Sequence, residues 1–269
     1  MSWLDDLEAR HAEAFDAVPN WPAHVRGLNA RLGATGRFAL TESHTAPEFF
    51  IGRLPRFRPR SWIAIVSLNP KEMSPANRAW HEAEAWNATN RWRYLTREDV
   101  GIWKPADFYY SRWCLPLVRL LATLSDDRAL LDDPVQAYFD LVGAFELVPY
   151  ASHEYAAGTY ERLAGDPAVE FSHDVAMTVI RHCPPLAVLA NGLDATRSVS
   201  RWLPLRAEPV EHRYESVHRE GKTLRHWQGV IDLSGTTIPF AGFPFLRKSR
   251  THNADAEIDQ LGHAILARA

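Results

Sequence analysis

The chain has 269 residues, 46% of them hydrophobic and 23% charged, and a formal net charge of -3. That length can bury a substantial core, and the near-neutral charge gives no global attraction for nucleic acid, so any such contact must rest on local basic patches. Two cysteines, Cys114 and Cys183, make no disulfide framework and are too few for an all-cysteine iron–sulfur cluster, and no apolar run approaches the roughly 20 residues of a membrane span. The start, Met1-Ser-Trp-Leu-Asp-Asp-Leu-Glu, is acidic and amphipathic, unlike a signal peptide, so a cytoplasmic location is expected.

Trp3, Leu4, Leu7 and Phe15 predict a helix over 2–17, and Asn20-Trp-Pro-Ala predicts a capped second helix ending near Gly33. A strand over 48–54 leads into Arg53, Arg56, Arg58 and Arg60, whose charges read as solvated surface. Residues 61–70, Ser-Trp-Ile-Ala-Ile-Val-Ser-Leu-Asn-Pro, carry no helical period and few polar breaks, as in a strand covered on both faces. Pro70 removes a backbone donor and biases Asn69 away from the helical region, so this strand ends by delivering an asparagine to a turn. Residues 71–113 form a tryptophan-rich insertion with Trp80, Trp86, Trp92 and Trp103.

A helix is expected over 108–124, kinked or started late by Pro116, and another over 134–141 with proline at its opening. A second core strand over 142–148 stops at Pro149. A helix over 172–182 stops at Pro184-Pro185, and a third core strand over 186–190 runs into Asn191-Gly192 and a helix to about 203. Strands or a hairpin follow over 210–217, 223–230 and 236–241, with a closing helix over 255–267. Alternating strands and helices predict an α/β fold, a three-layer α/β/α sandwich with a mainly parallel central sheet. The expected organisation is one domain over 1–269, with 1–60 as an N-terminal elaboration.

The core strands end in phrases of similar design: Leu68-Asn69-Pro70, Leu147-Val148-Pro149-Tyr150 and Ala190-Asn191-Gly192. The last apolar segment continues through Phe240-Ala-Gly-Phe-Pro-Phe-Leu246 into a basic loop ending Thr251-His252-Asn253. Binding groups of open α/β sheets lie beyond the carboxyl ends of the strands, which makes Asn69 the leading candidate. In the order and spacing of these phrases, over 61–252, the chain resembles the uracil-DNA glycosylase superfamily, and Asn69-Pro70 is closer to its mismatch-specific, asparagine-using branch than to the aspartate-using enzymes.

That resemblance implies a uracil-DNA glycosylase-like fold, double-stranded DNA as partner and a monomeric enzyme. It also implies hydrolysis of a flipped nucleotide's base–sugar bond without metal or other cofactor. Asn69 would hold the attacking water and His252 would stabilise the departing base, although the family's usual His-Pro-Ser phrase is not present at this loop. Glu146 stands where the family commonly has an asparagine that reads the base. A carboxyl group suits a cytosine-type base, because it can accept from the exocyclic amine, and a protonated one can also donate to the ring nitrogen. Tyr109, Trp80 and Trp86 are candidates to line the base pocket. Arg247, Lys248, Ser249 and Arg250 would contact phosphates, with Leu246 as the wedge that fills the vacated stack. In these features the chain is similar to antiviral DNA glycosylases that remove glucosylated 5-hydroxymethylcytosine, which implies anti-phage defence. A uracil or mismatch repair glycosylase and a non-catalytic module for modified DNA stay open. A metal hydrolase has histidines to draw on, among them His153, His173 and His182, but none in a recognised ligand spacing.

Overall fold

A computed structural model of the chain describes residues 2–42, 47–68, 86–97, 108–155, 158–199, 202–233, 235–246 and 252–267, without the side chains of 108–113. Helix α1 (Trp3–Asp16) opens with a reciprocal cap in which the Ser2 hydroxyl accepts from Asp5 N and the Asp5 carboxylate accepts from Ser2 N. Asn20 caps α2 (Trp21–Leu32), and Gly33 ends it at a φ of 62°, where a side chain would be strained. The later helices are α3 (Ala88–Leu95), α4 (Phe108–Leu124), α5 (Pro134–Leu141), α6 (Thr159–Arg162), α7 (Pro167–His182), α8 (Leu193–Val199) and α9 (Asp255–Leu266). Helix α4 accommodates Pro116 in its interior.

The strands are β1 (Phe50–Ile51), β2 (Ile63–Ser67), β3 (Val142–Glu146), β4 (Ala187–Asn191), β5 (Val210–Glu215), β6 (Thr223–Leu233) and β7 (Thr236–Phe243). They form one mixed sheet in the order β1-β3-β2-β4-β7-β6-β5. Strands β2, β4 and β7 run parallel, with Val66 opposite Ala190 and Asn191 opposite Phe243, so their carboxyl ends share an edge. Strands β5, β6 and β7 are joined antiparallel. The expected α/β class is therefore present, with a sheet that is more mixed than a mainly parallel one. No helix among the described residues is long and apolar enough to cross a membrane.

The chain divides into two compact units. One comprises Met1–Ile51, Ser67–Glu98 and Phe145–Thr178, and the other Gly52–Val66, Asp99–Ala144 and Val179–Ala269. In the second unit, Ile63, Ile65, Ala187, Leu189, Ala241 and Phe243 pack with apolar residues of α4, α5 and α9. Residues alternate across a strand, so Gly242 faces the other way, where a Cβ would lie 2.2 Å from the Thr196 side chain. Glycine there admits α8, and helices thus cover both faces of β7.

Local chemistry moved several expected boundaries. The strand over 48–54 is reduced to β1, because Leu54–Arg56 turns into a 3₁₀ helix around Pro55. The arginines that follow are bound into the fold. Arg53 pairs with Asp140 at 2.7 Å, Arg58 donates to the carbonyls of Pro55 and Phe57, and Arg60 donates to Thr237 O at 2.6 Å. Helix α7 starts at Pro167, five residues before its expected start, because Asp166 accepts from Ala168 N and Val169 N and proline suits the first turn.

Candidate functional site

Glu146 closes β3 and is anchored through its backbone: its N–H donates to Phe49 O at 3.3 Å, and its carbonyl accepts from the Ser172 hydroxyl. The next residues continue against the end of β2, with Leu147 N donating to Ser67 O at 3.0 Å and Val148 N to Leu68 O at 2.8 Å. The segment that carries Glu146 thus lies beside the last two residues before Asn69 in the sequence. Asn69 itself, Trp80, Arg247, Lys248, Ser249 and Arg250 lie outside the described residues, as does the side chain of Tyr109.

The Glu146 side chain is half-buried, and its Oε2 is enclosed with no hydrogen-bond partner. Burial pushes its pKa well above the usual carboxylate value, and the neighbouring charge of Glu48 pushes it further. Glu48 is itself raised by burial, while Arg91 and Arg97 pull it down. Both arginines are 1% exposed. Glu48 thus interacts with two buried cations and with Glu146, and the acid that bears the orphan oxygen is the one that both burial and a like charge push toward its neutral form.

Trp86 packs against this region. Arg91 lies 5.2 Å from the Trp86 ring and 4.8 Å from the Tyr94 ring, and the two rings meet edge to face at 5.5 Å. The indole therefore shields a buried guanidinium, which accounts for its half-burial. An open depression of about 430 Å³ is lined by Asp16, Asn87, Ala88, Thr89, Asn90 and Arg93, and no predicted site residue lines it.

In the other unit, His252 is fully buried and has a φ of 51°. Its Nε2 lies 2.8 Å from the Tyr214 hydroxyl, and its Nδ1 is enclosed without a partner. Burial lowers its pKa to about 4; Glu257 works against that shift, while His226 and Arg219 add to it, so the ring is neutral at pH 7. Leu246 is 4% exposed and belongs to the apolar core, which corrects its expected role: a wedge must project from the surface, and this side chain does not. Its neighbour Phe245 is 36% exposed. Phe245 lies against Gly192, where a Cβ would come within 2.8 Å of the ring at a φ of 112°.

Three further buried or half-buried polar residues are not among the predicted site residues. Asn191, the last residue of β4, is 2% exposed with an unpartnered Oδ1; its place before glycine at a strand end was the available signal. Glu48 and Tyr214 reach Glu146 and His252 only through pairings distant in sequence. Among the described residues, no group of three or more His, Cys, Asp or Glu side chains is arranged to hold a metal ion.

Comparison with known protein families, curated proteins and solved structures finds no match.

Proposed function

We propose that the protein is a monofunctional DNA glycosylase of the uracil-DNA glycosylase type, acting on a flipped, modified cytosine. The observation that carries this reading is a half-buried carboxyl group with one enclosed, unpartnered oxygen, pushed toward its neutral form by burial and by Glu48, at a strand end that runs beside the residues leading into Asn69. Breaking an N-glycosidic bond builds positive charge on the sugar and negative charge on the base, so the site must position water and receive an anion. Asn69 holds the water through a neutral amide that donates and accepts but does not take its proton. Glu146 meets the Watson–Crick edge of the base: its O–H donates to N3 of cytosine and its carbonyl accepts from the exocyclic amine. The resemblance gives His252 the departing base, and its neutral ring has one N–H to offer. The basic residues 247, 248 and 250 hold the flanking phosphates of double-stranded DNA, and Phe245 replaces Leu246 as the side chain that can enter the stack.

The neutral state of Glu146 gives a test that separates this role from that of a carboxylate. Glu146→Gln keeps one donor and one acceptor at the same reach, so base release is expected to stay within about fivefold of wild type, whereas Glu146→Ala loses about 100-fold. Wild type should also lose activity at alkaline pH as Glu146 ionises, and Glu146→Gln should not. Single-turnover release measured from pH 6 to 10 on modified-cytosine duplexes checks both points. A Glu146→Gln enzyme as inactive as Glu146→Ala would remove the neutral-acid role.

A further inference from the structure

Beneath β5, β6 and α9, within the second unit, lies a polar cluster built from Tyr214, Ser216, Arg219, His226, His252 and Glu257. We propose that Tyr214 is a positioning residue that fixes His252 as the neutral tautomer with its proton on Nδ1. The hydroxyl and Nε2 are 2.8 Å apart, a contact that can be drawn in two directions. A phenol is a stronger acid than a neutral imidazole N–H, and an imidazole nitrogen is a stronger base than a phenol oxygen. The bond therefore runs from O–H to Nε2, and the one proton of the neutral ring is left on Nδ1.

The surroundings keep it there. Arg219 and His226 oppose a second proton on the ring, Glu257 favours one, and burial outweighs Glu257. The Glu257 carboxylate accepts from Asn253 N at 2.7 Å and Ala254 N at 3.2 Å, which fastens the backbone immediately after His252. The Tyr214 ring stands 5.6 Å from that of His226, centre to centre, and is packed in place. The product of this arrangement is a fully enclosed Nδ1–H with no acceptor among the described residues. A buried donor without a partner is unfavourable in the free protein, and a bound acceptor would relieve it. Resting on the glycosylase reading, that acceptor is the departing base, which reaches Nδ1 only when DNA binding opens the enclosure around it, and whose developing negative charge the N–H then offsets. The tautomer itself does not depend on that reading.

The test is a long-range proton–nitrogen correlation spectrum of the ¹⁵N-labelled full chain at pH 7, with the His252 signals identified by their loss in His252→Gln. The expected wild-type result is Nδ1 protonated and Nε2 bare, and in Tyr214→Phe a mixture with a substantial Nε2–H fraction. On a modified-cytosine duplex, Tyr214→Phe should lower kcat about five- to tenfold with KM unchanged, as expected for one lost hydrogen bond. An Nε2–H ring in wild type overturns the proposal, and so does an unchanged tautomer in Tyr214→Phe. If that variant does not fold, a cross-peak between the Tyr214 hydroxyl proton and Nε2 in wild type decides: its presence supports the assignment and its absence overturns it. If no DNA releases a base while Nδ1 is protonated as expected, the glycosylase reading fails and the Tyr214 assignment stands.

Discussion

Glu257→Leu is expected to lower the stability of the protein by about 1–3 kcal/mol, the cost of leaving partly buried donors without their acceptor. Glu257 is fully buried, and its carboxylate accepts from Arg219 Nε at 2.7 Å and Arg219 Nη2 at 2.9 Å, from the Ser216 hydroxyl, and from the N–H groups of Asn253 and Ala254. Leucine leaves the Ser216, Asn253 and Ala254 donors without this acceptor, and leaves Arg219, whose side chain is 34% exposed, without its buried partner. The same bonds set a pH dependence. Burial would raise the Glu257 pKa, but the bonds from Arg219, Ser216, Ala254 and Asn253 outweigh it and hold the pKa at about 2, below the ordinary 4.5. A carboxylate with a depressed folded value contributes stability that is fully present above its unfolded value, here 4.5, and is lost as pH falls through about 2. Urea titrations of wild type and Glu257→Leu at pH 7 measure the first effect. A difference below about 1 kcal/mol would mean that the network is not formed as described.

The second large effect concerns His11 on α1. It is fully buried, with neither ring nitrogen partnered, among Phe15, Phe49, Trp92 and Phe171 at centroid distances of 5.4 to 6.1 Å. Burial, and then the charge of Arg91, lower its pKa from 6.5 to about 3. A base with a depressed folded value binds its proton more readily when unfolded, so its contribution is complete above pH 6.5 and is lost as pH falls toward 3, at about 1.4 kcal/mol per pH unit. His11→Leu should therefore be at least as stable as wild type at pH 7, where it removes two unmet polar atoms, and more stable than wild type by about 2 kcal/mol at pH 5. His252, lowered to about 4, contributes a similar acid slope and is untouched by this change. Thermal melts of both proteins from pH 7 to pH 4 read the difference. Parallel curves would show that His11 is not held neutral in the folded chain.

The elements that could be read from the sequence were those with a local cause. Ser2, Asn20 and Gly33 mark helix ends through their own side chains or backbone freedom, and the apolar runs of β2, β3 and β4 need no distant partner to be recognised. Asp166-Pro167 is an equally local start signal for α7, five residues ahead of the expected start at 172.

What was hidden depends on tertiary approach. The charge of Glu48 acts on Glu146 because the Glu146 N–H is hydrogen-bonded to Phe49, far away in the chain, and Tyr214 reaches His252 across 38 residues. Leu246 was misjudged for a related reason. Its basic neighbours in sequence suggest exposure, but the α4, α5 and α9 core that receives it is assembled from distant segments. Residue types alone likewise left the state of Glu146 open, whereas its burial and its neighbours set the direction of the shift.

The most direct measurement is base release in the presence of chelator, from duplexes containing uracil, cytosine, 5-hydroxymethylcytosine or its glucosylated form, with wild type and Asn69→Ala in parallel. Mass spectrometry detects the free base, and alkali cleavage detects the abasic site. The expected result is release from modified cytosine alone, reduced by at least about 100-fold in Asn69→Ala. Release from no substrate, or release that Asn69→Ala leaves intact, would contradict the proposed glycosylase.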